Sequence, residues 1–294
     1  MSDSEIGALR AKLASRPRSD DYRQRRRDID ARGLGYRLAA DVGVEPMTAN
    51  GVRAEWTATP KDARDAALLY LHGGGYVIGS LDSHRHLAAE AGRAAGIAAL
   101  ALDYRLAPEH PFPAAVDDAL AGYRFLLARG IEAKRIAIVG DSAGGGLVVA
   151  AMLAIRAAGL ARPGCGWCIS PWVDMEAIGD TMVSKAAADP TVQRAGILDM
   201  ARMYLNGADP RSPLAAPLYA DLSGLAPLLI QVGAAETLLD DALRLAKAAG
   251  AADVRVDLQI WPEMIHVWHL FHPELAAGRQ AIEAGGAFVR QMIR

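Results

Sequence analysis

Ile136-Ala-Ile-Val-Gly140-Asp-Ser142-Ala-Gly-Gly145 sets four apolar residues before Gly-Asp-Ser-Ala-Gly, and a run rich in Ala, Leu and Val follows. The short apolar run reads as a buried strand, and the longer one after Gly144 as a helix. A serine between them, in Gly-x-Ser-x-Gly, sits on a strained strand-to-helix turn with its hydroxyl exposed. Gly140 and Gly144 leave room for the neighbouring strand and helix to pack closely. Ala143 begins the helix, so its N–H points at any negative charge that develops beside the serine. The segment lacks the Gly-Lys-Ser/Thr ending of a phosphate loop. Ser142 is therefore the candidate nucleophile.

On either side of this segment, short apolar runs alternate with long helical stretches. The runs are 66–71, 97–102, 136–139, 165–169, 228–232 and 254–260; the helices are near 83–95, 113–129, 143–159, 240–249 and 275–293. Continuous apolar strands separated by helices predict an α/β fold with a mostly parallel sheet covered on both faces. Before them, Val44–Thr48 and Val52–Thr57 flank Asn50-Gly51, which favours a type I′ hairpin turn. Two regions break the alternation. Residues 5–32, within the N-terminal segment 1–40, read as helices, and 175–207 is far longer than a usual connection. Both are expected to form a helical cap, dividing the chain into cap helices 1–40, core 41–174, cap insertion 175–207 and core 208–294.

His72-Gly-Gly-Gly75-Tyr76 follows the run 66–71. Three glycines after a strand let backbone N–H groups turn inward toward an oxyanion. A serine nucleophile also needs a base, and in this architecture the acid and then the histidine follow the serine in sequence. Of the seven histidines, His266, His269 and His272 lie beyond Ser142. His266 leaves the run 254–260 at the sheet's C-terminal edge, whereas His269 and His272 fall on the next short helix. No cysteine or carboxylate set completes a metal site with this His-x-x-His-x-x-His spacing, so no metal is expected. His84 and His86, two apart on a helix, cannot face one ligand. The acid should follow the strand 228–232. Glu236 lies in that loop and is the candidate. Asp240, which opens the next helix and suits capping there, is the alternative.

His72-Gly-Gly-Gly75, Asp103-Tyr-Arg-Leu-Ala-Pro-Glu-His-Pro-Phe-Pro113 and Gly140-Asp-Ser-Ala-Gly-Gly145 together resemble the bacterial hormone-sensitive-lipase-type esterases, and Met264-Ile-His266 fits their histidine motif. The likeness spans about residues 35–290. It implies an α/β-hydrolase fold with a helical cap, acting on a small-molecule ester without a cofactor. Ser142, His266 and an acid would form the triad. Gly74, Gly75 and Ala143 would form the oxyanion hole, with His72 and Asp141 in support. The family's acid is usually Asp at the first position of D-x-L-x-D; Glu236-Thr-Leu-Leu-Asp240 puts Glu there. Asp117 and Asp118 would then be ordinary helix residues. The resemblance also implies a preference for short-to-medium acyl chains, with Trp172 and Trp268 as candidate pocket walls or core packing. Lactone or amide hydrolysis on the same triad stays open. The other class is a non-catalytic binding protein on this fold, which usually lacks one triad member.

Composition limits the remaining classes. Lys plus Arg is 32 and Asp plus Glu is 34, a net charge of −2, which gives no global attraction to nucleic acid or an anionic membrane. No apolar run reaches the roughly 20 residues of a membrane span, and the N-terminus carries no secretory h-region, so a cytoplasmic location is expected. Cys165 and Cys168 lie in a strand and point to opposite faces, which makes them buried thiols rather than a disulfide. Arg16, Arg18, Arg23, Arg25, Arg26, Arg27 and Arg32 read as a solvated helix face interleaved with aspartates. The alternation of Val254, Val256, Leu258 and Ile260 with Arg255, Asp257 and Gln259 predicts one buried and one wetter face on an edge strand. Such an edge predicts a homodimer through 254–260, with Arg255 of one chain facing Asp257 of the other.

Overall fold

The computed structural model describes residues 4–16 and 19–293. Arg18 of the basic cluster and the first three residues of the N-terminus lie outside them. The strands are β1 (Gly43–Ala49), β2 (Val52–Ala58), β3 (Ala63–Leu71), β4 (Ile97–Leu102), β5 (Ile136–Asp141), β6 (Cys165–Ile169), β7 (Leu228–Gly233) and β8 (Val256–Trp261). They form one sheet in the order β1-β2-β4-β3-β5-β6-β7-β8. β1, β2 and β4 pair antiparallel, and every pairing from β4 through β3 to β8 is parallel. Asn50 and Gly51 both have positive φ, as the type I′ turn requires.

The period-two pleat splits each apolar run between two cores. Leu69 and Leu71 of β3 face one, Leu68 and Tyr70 the other. The first core is closed by α4 (Ala114–Ala128), α5 (Ala143–Ala157) and α8 (Leu239–Ala251); the second by α3 (Leu81–Ala95) and α9 (Ala276–Met292). Both faces are covered, as the continuous runs require. Cys165 and Cys168 are free and buried on β6, one in each core. Burial pushes both thiols up, Cys165 to about 12, so neither is a reactive thiolate. No helix among the described residues is long and apolar enough to cross a membrane.

Outside this alternation lie α1 (Glu5–Ala14), α2 (Tyr22–Leu34), the short α6 (Thr181–Ser184) and α7 (Arg194–Leu205). Ile6, Leu9 and Leu13 of α1 pack against Met264, Ile265, Trp268 and Phe271, so α1 braces the loop that carries His266. α2 and α7 instead flank the C-terminal ends of the strands. α2 is not a purely solvated basic face. Arg26 donates to the Val77 and Ala107 carbonyls and pairs with Glu109, tying α2 to the loops after β3 and β4.

β8 is the last strand and an edge, as its pattern suggests, but only the start of its apolar face is covered: Val254 is buried in the first core and Val256 packs against it. Leu258 and Ile260 are 37% and 46% exposed. Gln259, on the other face, hydrogen-bonds Gln231, whose side chain also takes N–H bonds from Trp167 and reaches His269 and Ala281. The face expected to be wetter is instead held under α9 by this satisfied polar pair. Arg255 and Asp257 pair with each other within the chain.

Candidate active site

The nucleophile turn follows from β5 ending at Asp141 and α5 starting at Ala143. Ser142 between them has φ 56 and ψ −119, outside the regions that an L residue prefers. A Cβ at Gly140 or Gly144 would overlap backbone of the turn or of β3, so only glycine permits this approach. Backbone bonds fix the strained residue: Ser142 N donates to Ile169 O at 2.8 Å, and Trp172 N donates to Ser142 O at 2.9 Å.

His266 Nε2 lies 2.9 Å from Ser142 Oγ, and His266 Nδ1 lies 2.8 Å from Glu236 Oε2. The other Glu236 oxygen accepts from Gly233 N at 3.0 Å, which fixes the carboxylate plane. Glu236 is fully buried. Burial alone would depress the imidazole, but the hydrogen bond and charge of Glu236 outweigh it and hold His266 above its ordinary value. The extra methylene of Glu therefore does not prevent the contact. Asp240 is directed elsewhere. Its carboxylate accepts from Thr181 N at 3.0 Å, and its own N–H donates to Thr181 Oγ1. It does not cap α8, whose first residue is Leu239; it anchors the 175–207 segment instead.

Gly74 and Gly75 have φ of 121 and 64, and they line a cavity of about 160 Å³ with Ser142 and His266. The Ala143 N–H opens α5 and has no helical acceptor. No described residue accepts a hydrogen bond from Gly74, Gly75 or Ala143 N–H. These free donors suit a developing oxyanion. His72 stacks on Tyr104 at 4.2 Å and its Nδ1 lies 2.8 Å from Gly73 O. Burial drives it down to about 3, so it is neutral and Nδ1–H donates to that carbonyl.

Asp141 holds the same loop from below. It accepts from Tyr70 Oη at 2.7 Å and Gly73 N at 3.1 Å, and its other oxygen lies 3.3 Å from His84 Nε2. Burial would raise this carboxyl, but His84 and Tyr70 outweigh it and keep it below the usual range. His84 escapes the sequence reading, which weighs it only as half of a histidine pair. Its position three residues after Leu81 and three before Leu87, on the buried stripe of α3, was the available signal: a polar residue there needs a buried partner. Asp118 also departs from expectation. It is buried, and it grips Arg105 through the guanidinium and the backbone N–H, fixing the 103–113 motif. Asp189 is a further missed residue. Its carboxylate accepts from Thr191 and Val192 in the 175–207 segment and from Thr237 beside Glu236.

The cavity walls come from both irregular regions: Arg25, Ile29 and Arg32 of α2, and Val192, Ile197 and Met200 of the insertion. Trp172 lines it as expected. Trp268 does not; it is buried against Trp261 and the α1 contact surface. Among the described residues, no group of three His, Cys, Asp or Glu could hold a metal ion.

A sequence profile described as the alpha/beta hydrolase fold matches residues 68–270. An acetyl-hydrolase of Streptomyces hygroscopicus is 47% identical over 277 residues, covering 92% of each chain. A crystallised esterase from the bacterial hormone-sensitive lipase family superposes with TM-score 0.94 at 50% identity, over 99% of this chain and 97% of that one. The esterase EstE5, soaked with p-nitrophenyl butyrate, superposes with TM-score 0.95 at 46% identity over 98% of both. The fold is that of the α/β-hydrolases. Within it, the chain belongs to the bacterial hormone-sensitive-lipase-type esterases.

Proposed function

We propose that the chain hydrolyses carboxylic esters of short-to-medium acyl length through an acyl-enzyme on Ser142. The observation that carries this is the Ser142–His266–Glu236 relay, at 2.9 and 2.8 Å, beside three free backbone donors. His266 Nε2 takes the hydroxyl proton as Oγ attacks the carbonyl carbon. The carbonyl oxygen gains the negative charge and is held by Gly74, Gly75 and Ala143 N–H. Collapse breaks the ester C–O bond, and His266 gives its proton to the departing alcohol. Water then adds to the acyl-Ser142 with His266 as base; collapse breaks the acyl–Oγ bond, His266 returns the proton to Ser142 Oγ, and the carboxylic acid leaves. Glu236 stabilises the imidazolium in both halves.

The two irregular segments act as the cap. The small cavity they enclose favours short acyl chains, and the two free thiols on β6 fit a reducing cytoplasm. A series of p-nitrophenyl esters should show kcat/KM highest for short chains and falling for long ones. A serine-directed organophosphate should attach to Ser142 alone, read by peptide mass. Faster hydrolysis of emulsified long-chain triglyceride, or labelling at another serine, would sink this reading.

The edge of β8 is proposed to pair with a second copy of the chain. Leu228 N donates to Arg255 O, so Arg255, Asp257 and Gln259 are the residues bonded to β7, and the N–H groups of Leu258 and Ile260 face outward. A strand with exposed Leu258 and Ile260 beside an open ladder is complementary to itself about a two-fold axis. Light scattering should give about twice 31.1 kDa, and Leu258→Glu with Ile260→Glu should return it to the single-chain mass. A single-chain mass for the wild type removes the proposal.

A further inference from the structure

We propose that Arg25 forms an anion subsite in the substrate pocket, and that the preferred ester carries a carboxylate on a limb reaching away from the scissile bond. This rests on the ester-hydrolase reading above.

The arginines of α2 are not equivalent. Arg26 spends its guanidinium on two backbone carbonyls and Glu109, and Arg27 donates to Gln24. Arg25 is half-buried, yet its side chain makes no hydrogen bond or ion pair with any described residue. Burial pushes its pKa down, opposed only by the charge of exposed Asp20. A guanidinium held partly out of water without a partner costs free energy that a bound anion recovers.

Its location gives that anion a route. Arg25 lines the 160 Å³ cavity that holds Ser142 and also an adjoining cavity of about 440 Å³. Arg32, seven residues on and on the same helix face, lines both as well, and Arg16 lines the wider one. The acid on that wall, Asp28, accepts from Gln24 at 2.7 Å. Along the wall of the wider cavity arginines thus outnumber acids. Ile29 and Ile78 also line both cavities. A substrate reaching from Ser142 to Arg25 therefore meets apolar wall as well as the guanidinium. That mixed wall fits an aliphatic spacer ending in a carboxylate, which a planar guanidinium grips through two parallel N–H bonds.

The test compares esters that differ only by a terminal carboxylate in place of a methyl. On the acyl side the pair is the mono-p-nitrophenyl ester of adipate and p-nitrophenyl hexanoate. On the alcohol side it is butyryloxybutanoate and butyl butyrate. In one arm the wild type should favour the acid, and Arg25→Ala should lower the acid-to-neutral ratio of kcat/KM about tenfold, mainly through KM. Arg25→Lys should fall between, keeping charge without the fork. Free adipate should compete with the neutral ester in the wild type and lose potency in Arg25→Ala. A ratio unchanged by Arg25→Ala in both arms, or no competition by adipate, overturns the subsite. If the neutral esters are not hydrolysed at all, the esterase reading itself has failed, a different result from a missing preference.

Discussion

Ser142→Ala should lower kcat by on the order of 10⁵–10⁶ while leaving the fold intact. The Ser142 hydroxyl's one described partner is His266, so its removal takes away no bond within the core. The loss is large because no other hydroxyl on the loop can take the same trajectory: the residue's position is fixed by Ile169 O, Trp172 N and the start of α5. The strain is a backbone property and survives in alanine. Glycine relieves it, because φ near 56 costs glycine almost nothing. Ser142→Gly should therefore be as inactive as the alanine variant but more stable, by about 1 kcal/mol, moving Tm up by about 2–4 °C. Scanning calorimetry beside a p-nitrophenyl butyrate assay reads both effects. Near-normal turnover in either variant would remove Ser142 as nucleophile, and a glycine variant less stable than alanine would remove the strain argument.

Glu236→Gln should lower kcat by roughly 10³–10⁴. The mechanism is more specific than a lost charge. Gly233 N–H points at one oxygen of residue 236 and requires an acceptor there. A glutamine satisfies it with its carbonyl oxygen, which turns the NH₂ group toward His266 Nδ1. Nδ1 must then accept, the ring proton moves to Nε2, and His266 can no longer take the serine proton. The pH profile carries a second signature. A general base works when neutral, so kcat/KM rises with pH through the His266 pKa. In the wild type Glu236 holds that value above the ordinary 6.5, and the acid limb should lie there. Without the carboxylate, burial is the dominant influence left, and the limb should move below 6.5. Asp240→Asn should leave the limb in place and cost stability through Thr181. A variant at position 240 that loses activity while Glu236→Gln keeps it would reverse the assignment.

The strands and main helices were readable from sequence for one physical reason. A parallel sheet buried on both faces favours apolar residues everywhere but at its ends, so β4 and β6 appear as unbroken apolar runs and β7 is interrupted only by Gln231. The reactive groups were readable because they sit at those ends, where Ser142, Glu236 and His266 each follow a strand. What was not readable depends on pairings between distant segments. Gln259 reads as a wet residue until Gln231 is placed beside it. Asp118 reads as an ordinary helix residue until the chain before it folds back and presents Arg105. Within α2, nothing in Arg25-Arg26-Arg27 tells which guanidinium meets Glu109 and which meets an empty wall. Hydrophobic period locates an element, but the partner of a polar side chain is a property of the closed fold.

The carboxylate of Asp189 has a consequence for how this enzyme can be altered. It joins the segment that shapes the pocket to Thr237, the neighbour of Glu236. Pocket shape and acid placement are thus not separately exchangeable. A chimaera that imports a relative's 175–207 stretch to change acyl preference inherits a working acid loop only if an acceptor arrives at position 189. Without it, Thr237 N–H is stranded in the interior. Selection for a new substrate can then act on Ile197 and Met200 without touching the acid loop, while 189 must stay still.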